Sequence, residues 1–391
     1  MKMKASTTIV LLFAVLIFFL SQSCNKEASS DPPSGGGGTG GTGSPNLPAT
    51  PYNYAGVLDN MPAYLSAILA SNPDFDNTPA DNPITNDGAT LGRVLFYDKS
   101  LSANNTISCA SCHHQDKAFV DGAQFSVGFE GGVTRRNSMP LSNLRFVWKK
   151  KMFWDTRAAS LEEQVLKPIQ DHIEMGIASL TALEDKLKTR SYYPLLFQKA
   201  FGTTAITSDR ISKALAQFLR SIVSFNSKFD AGLATNFSNF TPQELNGMNR
   251  VKATCGECHN DFVTFDPGRK PTFFFNTANF PTNDALDLVS ADKGLGEITG
   301  DPGHNGFFKI PSLRNVELTA PYMHDGRFAT LEQVLTHYES GIKNVPNLPI
   351  QLTVPGIITG GASEKADMIA FLKTLTDRTV TTDVKYADPF K

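Results

Sequence analysis

Cys109-Ala-Ser-Cys112-His113 and Cys255-Gly-Glu-Cys258-His259 repeat one pattern, CxxCH. Two thiols so spaced can each add to a vinyl group of one porphyrin. The imidazole that follows then lies under the ring and supplies an axial nitrogen to iron. Zinc is the competing chemistry, but a zinc site takes its cysteine and histidine pairs from close range, typically about 12–20 residues apart. Here Cys255 follows His113 by 142 residues, and each motif has its own histidine. The pattern therefore reads as two covalent c-type haems. Cys109, Cys112, Cys255 and Cys258 form the thioethers, and His113 and His259 bind the irons.

The segment between the motifs holds groups that could act on a bound peroxide. Met152-Phe153-Trp154-Asp155-Thr156-Arg157-Ala158 leads into Ser160-Leu161-Glu162-Glu163-Gln164, then Pro168, then Glu174-Met175. A peroxide needs one group to move its proton and another to hold it. A carboxylate such as Glu174 does the first and an amide such as Gln164 the second. Trp154 offers an oxidisable ring for electron hopping. The bland alternative is a core tryptophan and two polar residues on helix surfaces.

The fifth cysteine has its own context. Residues 1–23 carry Lys2 and Lys4, an apolar run from Ile9 to Leu20, and Ser21-Gln22-Ser23 before Cys24. The run is too short to span a bilayer and reads as an export signal. Small residues before Cys24 suggest lipidation at that thiol, with ordinary signal cleavage as the alternative. Residues 24–47 then read as a lipidated, glycine-rich tether, with Gly35-Gly36-Gly37-Gly38 at its centre. The expected location is an exported lipoprotein on the periplasmic side of a membrane or at the cell surface. Contact with the membrane is through the lipid alone. A net charge of −2 gives no basic face for nucleic acid.

The rest of the chain is too long for one ordinary core and suggests two domains. Its periodicity is mostly helical. Ser208 is expected to cap a stretch with Ile211, Leu215, Phe218, Leu219, Ile222 and Val223 at helical spacing. Thr241-Pro242-Gln243-Glu244 is a capping box whose helix delivers Cys255. Thr330-Leu331-Glu332-Gln333 is another, opening a helix that carries His337 and Tyr338. Ser363 starts a last helix through Met368, Phe371, Leu372 and Leu375. Long irregular loops, 122–140 and 262–311 among them, separate these elements. The expected fold is mostly α, with two cytochrome c-like helical domains and one c-type haem in each. The N-terminal domain is expected at 48–205, completed by 376–391, and the C-terminal one at 206–375.

Between Leu91 and about Leu375 the chain resembles the bacterial di-haem cytochrome c peroxidase family, which includes the MauG enzymes. The matching stretches are CASCH, RRNSMPLSNL, MFWDTRAASLEEQ with Pro168 and Glu174-Met175, CGECH, FFKIPSLRNVELTAPYMHDGRFATLEQVL and AFLKTL. The resemblance implies a peroxidatic haem at His113 and an electron-transfer haem at His259, with Trp154 bridging them. It implies that Gln164, Pro168 and Glu174 line the distal pocket of the first haem. It also implies one calcium ion held by the Asn137 side chain and the carbonyls of Thr319 and Pro321, an all-oxygen set suited to a hard cation.

Two departures bear on subtype. Peroxidases that need reductive activation place a second histidine ligand 16 residues after the first-motif histidine, where this chain has Phe129. His114 is a poor substitute, because it directly follows His113. The first haem is therefore expected to be five-coordinate. The ligand slot of the second haem lies 14 residues after His324, where peroxidases carry Met and MauG enzymes Tyr. Here it is Tyr338. Met323 is the rival ligand by type, and His337 a weaker one. His172 and His304 read as structural or exposed.

The leading expectation is a MauG-like enzyme that takes hydrogen peroxide as oxidant. It would share the oxidising equivalents through Trp154 and draw on an electron-donor protein or an oxidisable protein side chain. The alternatives are a peroxide-detoxifying cytochrome c peroxidase fed by a small electron carrier and a non-enzymatic two-haem relay.

Overall fold

The computed structural model describes residues 43–391 except 60, 72, 148–150, 257, 260–280, 354–357 and 359. The export signal, Cys24 and the tether as far as residue 42 lie outside the described residues. Among those described, helices joined by long irregular segments dominate, as the periodicity implies, and the one sheet has two strands. No helix among them is long and apolar enough to cross a membrane.

Two helix pairs organise two hydrophobic cores. In the first, Asn86–Tyr97 packs against Ser208–Ser221, burying Leu91, Val94, Leu95, Leu215, Phe218 and Leu219. Thr85 caps the first of these helices by accepting from the Gly88 N–H. The second is capped by Thr207, whose hydroxyl accepts from the Arg210 N–H. Thr207, not Ser208, is thus the cap: two hydroxyl residues stand side by side, and the extended backbone falls at the first. The helices cross at Gly92, where an added Cβ would lie 2.0 Å from the Ala214 carbonyl oxygen.

The second core repeats the device. Pro242–Thr254 packs against Gly361–Thr374, burying Met248, Val251, Met368, Phe371 and Leu372. Gly247 permits the crossing, since a Cβ there would sit 1.9 Å from the Asp367 carbonyl oxygen. The Thr241/Glu244 capping box is present and Cys255 is the C-cap, as its sequence signature implies. Gly361–Thr374 begins two residues before Ser363, and it is not the last helix, because Thr379–Thr382 follows.

The cores interleave along the chain. Leu65 and Phe75 join the second, while Tyr386 near the C-terminus is buried in the first. Tyr386 donates to the Ser221 carbonyl at 2.6 Å, and the Gln115 amide, two residues past His113, donates to the Asp383 carbonyl at 2.8 Å. Two enclosed ion pairs tie distant segments. Arg220 makes two bonds to Glu162, at 2.6 and 3.0 Å, and Arg314 binds Asp230 at 2.8 and 3.0 Å.

Candidate functional site: two CxxCH turns and the cavity beside the second

Both motifs fold as tight turns, for the same local reason. At the first, the Cys112 and His113 N–H groups donate to the Cys109 carbonyl at 3.2 and 3.0 Å. At the second, Cys258 and His259 do the same to Cys255, at 3.2 and 2.8 Å. At the second turn both thiols and the imidazole face one cavity. Each imidazole is then fixed from behind. His113 Nδ1 lies 2.8 Å from the Phe119 carbonyl, and His259 Nδ1 lies 3.0 Å from the Pro311 carbonyl. With Nδ1 turned to a carbonyl, Nε2 is the nitrogen that would ligate iron once a haem is bound. Burial holds His113 below the usual imidazole range, which keeps the nitrogen neutral and able to ligate. Burial also pushes the Cys109 and Cys112 thiols up to about 12. They are poor thiolates, suited to a structural attachment and not to exposed nucleophilic work.

Beside the second turn lies an apolar cavity of about 1320 Å³, its open mouth included. Cys255, Cys258 and His259 stand in its wall with Val251, Leu313, Leu335, Met368 and Leu372. Tyr338, Met323, His324 and Trp154 also line it. The capping box at Thr330 opens the helix Leu331–Thr336, which runs into a wider π turn at His337–Gly341. That turn carries Tyr338 to the wall. Burial and the nearby Asp284 carboxylate push its phenol well above the usual range. His337 is spent elsewhere, with Nε2 2.8 Å from the Asp284 carbonyl. Met323 reaches the wall from a left-handed backbone position, φ 73°.

The cavity suits a porphyrin. It is apolar, has paired thiols and a preset imidazole at one wall, and offers a phenol and a thioether. One buried polar atom on this wall is left over: His324 Nδ1 has no hydrogen-bond partner among the described residues, and its ring stacks on Phe308 at 3.6 Å. The residues present fit a covalently held haem.

At the first turn, Glu174 lies close enough to Cys109 and Cys112 to perturb both thiols. Desolvation, with Asp171 adding to it, pushes the Glu174 carboxyl up to about 7, and Arg157 opposes the shift. Its carbonyl accepts from the Phe129 N–H at 3.0 Å, so the segments carrying these two residues are paired. The Phe129 ring packs over Gly176. Gln164 ends the short helix Leu161–Gln164, and Pro168 is the second residue of Lys167–Gln170; both side chains are half-buried. The His114 ring turns to the Ser111 carbonyl at 3.0 Å. His172 is exposed and His304 sits on Thr299 at 3.1 Å.

Trp154 is buried and held at both ends. Its indole N–H donates to the Asn137 carbonyl at 2.9 Å, and its own carbonyl accepts from the Lys309 N–H at 2.7 Å. Asn137 donates through its backbone to the His324 carbonyl at 2.8 Å and through its amide to Ala123 at 2.8 Å. Its Oδ1, and the carbonyls of Thr319 and Pro321, accept no hydrogen bond among the described residues. These oxygens are of the type a hard cation takes.

Sequence reasoning singled out none of the charges around Trp154. Arg136 bonds Asp155 at 2.5 Å and Asp292 at 2.7 Å, and Arg157 bonds Asp155 at 2.9 Å. The adjacent arginines of RRN and the acid and base of WDTR were the available signal.

The mostly helical fold, the twin CxxCH turns and the tryptophan beside the second cavity define a two-haem c-type protein. Comparison agrees. A family model for di-haem cytochrome c peroxidase matches residues 86–237. The methylamine utilization protein MauG of Methylophilus methylotrophus is 32% identical over 307 residues, covering 78% of this chain and 86% of that protein. The cytochrome c551 peroxidase of Nitrosomonas europaea is 32% identical over 312 residues, covering 80% and 86%. A crystal structure of a MauG-like protein associated with microbial copper homeostasis superposes with a TM-score of 0.67 at 34% identity, covering 80% of this chain and 96% of that one. The diheme peroxidase BthA of Burkholderia thailandensis shares the fold at a TM-score of 0.63 and 24% identity, covering 75% and 87%. The chain belongs to the di-haem cytochrome c peroxidase and MauG family. It is accordingly a haem-dependent oxidoreductase, with peroxide as oxidant and an electron donor or protein substrate as reductant.

Proposed function

We propose that this enzyme is of the MauG-like subtype, in which Tyr338 is the distal ligand of the second haem. The observation that carries this is a phenol on the wall of the cavity that His259, Cys255 and Cys258 also line. A buried phenol beside a carboxylate keeps its proton unless a strong positive charge meets its oxygen. A ferric iron is such a charge, and tyrosinate in turn favours high oxidation states where a thioether would raise the potential. When bound, the two haems supply peroxide cleavage and storage of the oxidising equivalents.

The chain's own residues do the rest. Glu174 takes and returns a proton at its carboxylate, and Gln164 holds the peroxide by its amide. Pro168 shapes the same pocket. Trp154 conducts electrons between the sites through an indole pinned to Asn137. Phe129 leaves the first site without a second histidine, so peroxide binds without prior reduction. Asn137, Thr319 and Pro321 would hold one calcium ion through oxygen atoms. An N-terminal signal and lipidation at Cys24 would place the protein on the periplasmic face of a membrane or on the cell surface. The reductant would be an electron-donor protein or an oxidisable protein side chain.

The second reading is a peroxide-detoxifying cytochrome c peroxidase, favoured by Met323 on the same wall. Tyr338→Phe separates the two. With tyrosinate ligation, both haems stay attached by mass spectrometry, the low-spin electron paramagnetic signal of the second haem changes, and the lasting oxidised spectrum after one equivalent of peroxide is lost. An unchanged low-spin signal would assign the ligand to Met323.

A further inference from the structure

The wall of the cavity beside the second turn is largely apolar, with Thr254, Thr282, Asp284 and Gln351 among its polar members. Among the described residues that line it, one is a lysine or arginine: Lys309. It lies just beyond Phe308, the last residue of a strand paired antiparallel with Thr282–Asn283. Its position is fixed from the backbone, because its N–H donates to the Trp154 carbonyl. Its ammonium reaches the Lys151 carbonyl at 3.2 Å. No carboxylate among the described residues lies within ion-pair distance of it. Arg136, Arg220, Arg314 and Lys365, by contrast, each face at least one acid.

An ammonium in an apolar wall with one carbonyl for company is costly to desolvate. Here burial pushes the amine down to about 8. Such an arrangement is stable when an anion arrives with the ligand. Haem c brings two, the propionate carboxylates, which need a buried counter-charge of their own.

We propose that Lys309 is the counter-cation for a propionate of the second haem and so anchors that edge of the macrocycle beside Trp154. The inference rests on the reading that Cys255 and Cys258 carry a haem in this cavity. It adds a positioning residue, one that acts through the haem and not on peroxide. A charge-assisted bond at this point fixes the haem edge next to the residue through which electrons must pass. It also sets the reduction potential, because a nearby cation favours the reduced iron.

The holoprotein tests this with readouts other than turnover. Mass spectrometry first counts the haems, and a parent protein lacking the second would overturn the underlying reading before any variant is made. In Lys309→Gln, both haems should remain. The ferric–ferrous equilibrium of the second haem, followed by spectroelectrochemistry, should move toward ferric by roughly tenfold, about 59 mV for one electron. The first haem should stay at its parent potential. Lys309→Arg keeps the charge and changes the donor geometry. Its potential should stay within about twofold of the parent, while the propionate-bending band of the second haem in resonance Raman shifts. An unchanged potential in Lys309→Gln means that Lys309 only braces the Lys151 carbonyl, and the proposal fails. Should Lys309→Gln not accumulate, an unmoved propionate band in Lys309→Arg overturns the proposal equally.

Discussion

The Trp154 indole N–H donates to the Asn137 carbonyl at 2.9 Å, and the Asn137 N–H donates to the His324 carbonyl at 2.8 Å. The Trp154 ring, the candidate calcium residue and the cavity wall at His324 thus form one continuous polar chain. Calcium should be present at about one ion per protein by elemental analysis. Asn137→Leu, or prolonged chelation, should remove it and slow the appearance of oxidised signal at the second haem. Protein isolated without calcium would remove Asn137, Thr319 and Pro321 from the ligand assignment.

Glu174 should give the reaction a pH signature. Its carboxyl is raised to about 7 by burial, so it is the free carboxylate only above that pH. A base that accepts a proton from peroxide works in that form. The rate of reaction with peroxide should therefore rise through about pH 7 and then level. Glu174→Gln should lose that rise and about 10²–10⁴-fold in rate, with both haems retained. Stopped-flow mixing with peroxide across pH is the measurement, and a parent-like rate in Glu174→Gln would end the proton-shuttle role.

The same shift has a stability consequence of opposite direction. The folded protein keeps the Glu174 proton between the ordinary glutamate range and about pH 7, whereas the unfolded chain releases it. Stability therefore falls as pH rises through that window. Glu174→Gln should flatten this fall in denaturant titrations of the holoprotein. A pH dependence identical to the parent's would show that the carboxyl is not raised.

Phe129 should leave the first haem high-spin at rest. Ferric protein should react with peroxide with no reductant added. Phe129→His should convert part of the high-spin electron paramagnetic signal to low-spin and introduce a requirement for pre-reduction. An entirely low-spin parent spectrum would show that another residue closes the site.

Arg220 is almost fully enclosed and makes two bonds to Glu162 and one to Asn77. Arg220→Ala strands the acid and should cost about 3–5 kcal/mol in denaturant unfolding. Arg220→Met with Glu162→Gln should cost less than Arg220→Ala alone. A fully additive result would show that the two residues do not act as a pair.

What could be read from the sequence was what is local. The CxxCH turns, the capping boxes at Thr241 and Thr330 and the helix that delivers Cys255 are each specified within a short stretch of chain. The start of Ser208–Ser221 slipped by one because Thr207 and Ser208 can both cap. Lys309, Asp284 and the Arg136–Asp155–Asp292 cluster were not legible. Each looks like an ordinary surface charge until the fold brings segments far apart in sequence together. The turn type at Tyr338 was equally hidden, since no residue pattern announces it.

That wider turn makes ligand choice a matter of angle as well as identity. In an α-helix each residue advances about 100° around the axis. Between His337 and Gly341 the wider winding alters this advance, and His337 meets the Asp284 carbonyl while Tyr338 meets the cavity. Deleting one residue from the turn would restore ordinary winding and rotate everything downstream by about a quarter of a revolution. A phenol could then be present in the sequence at nearly the same place and still miss the cavity.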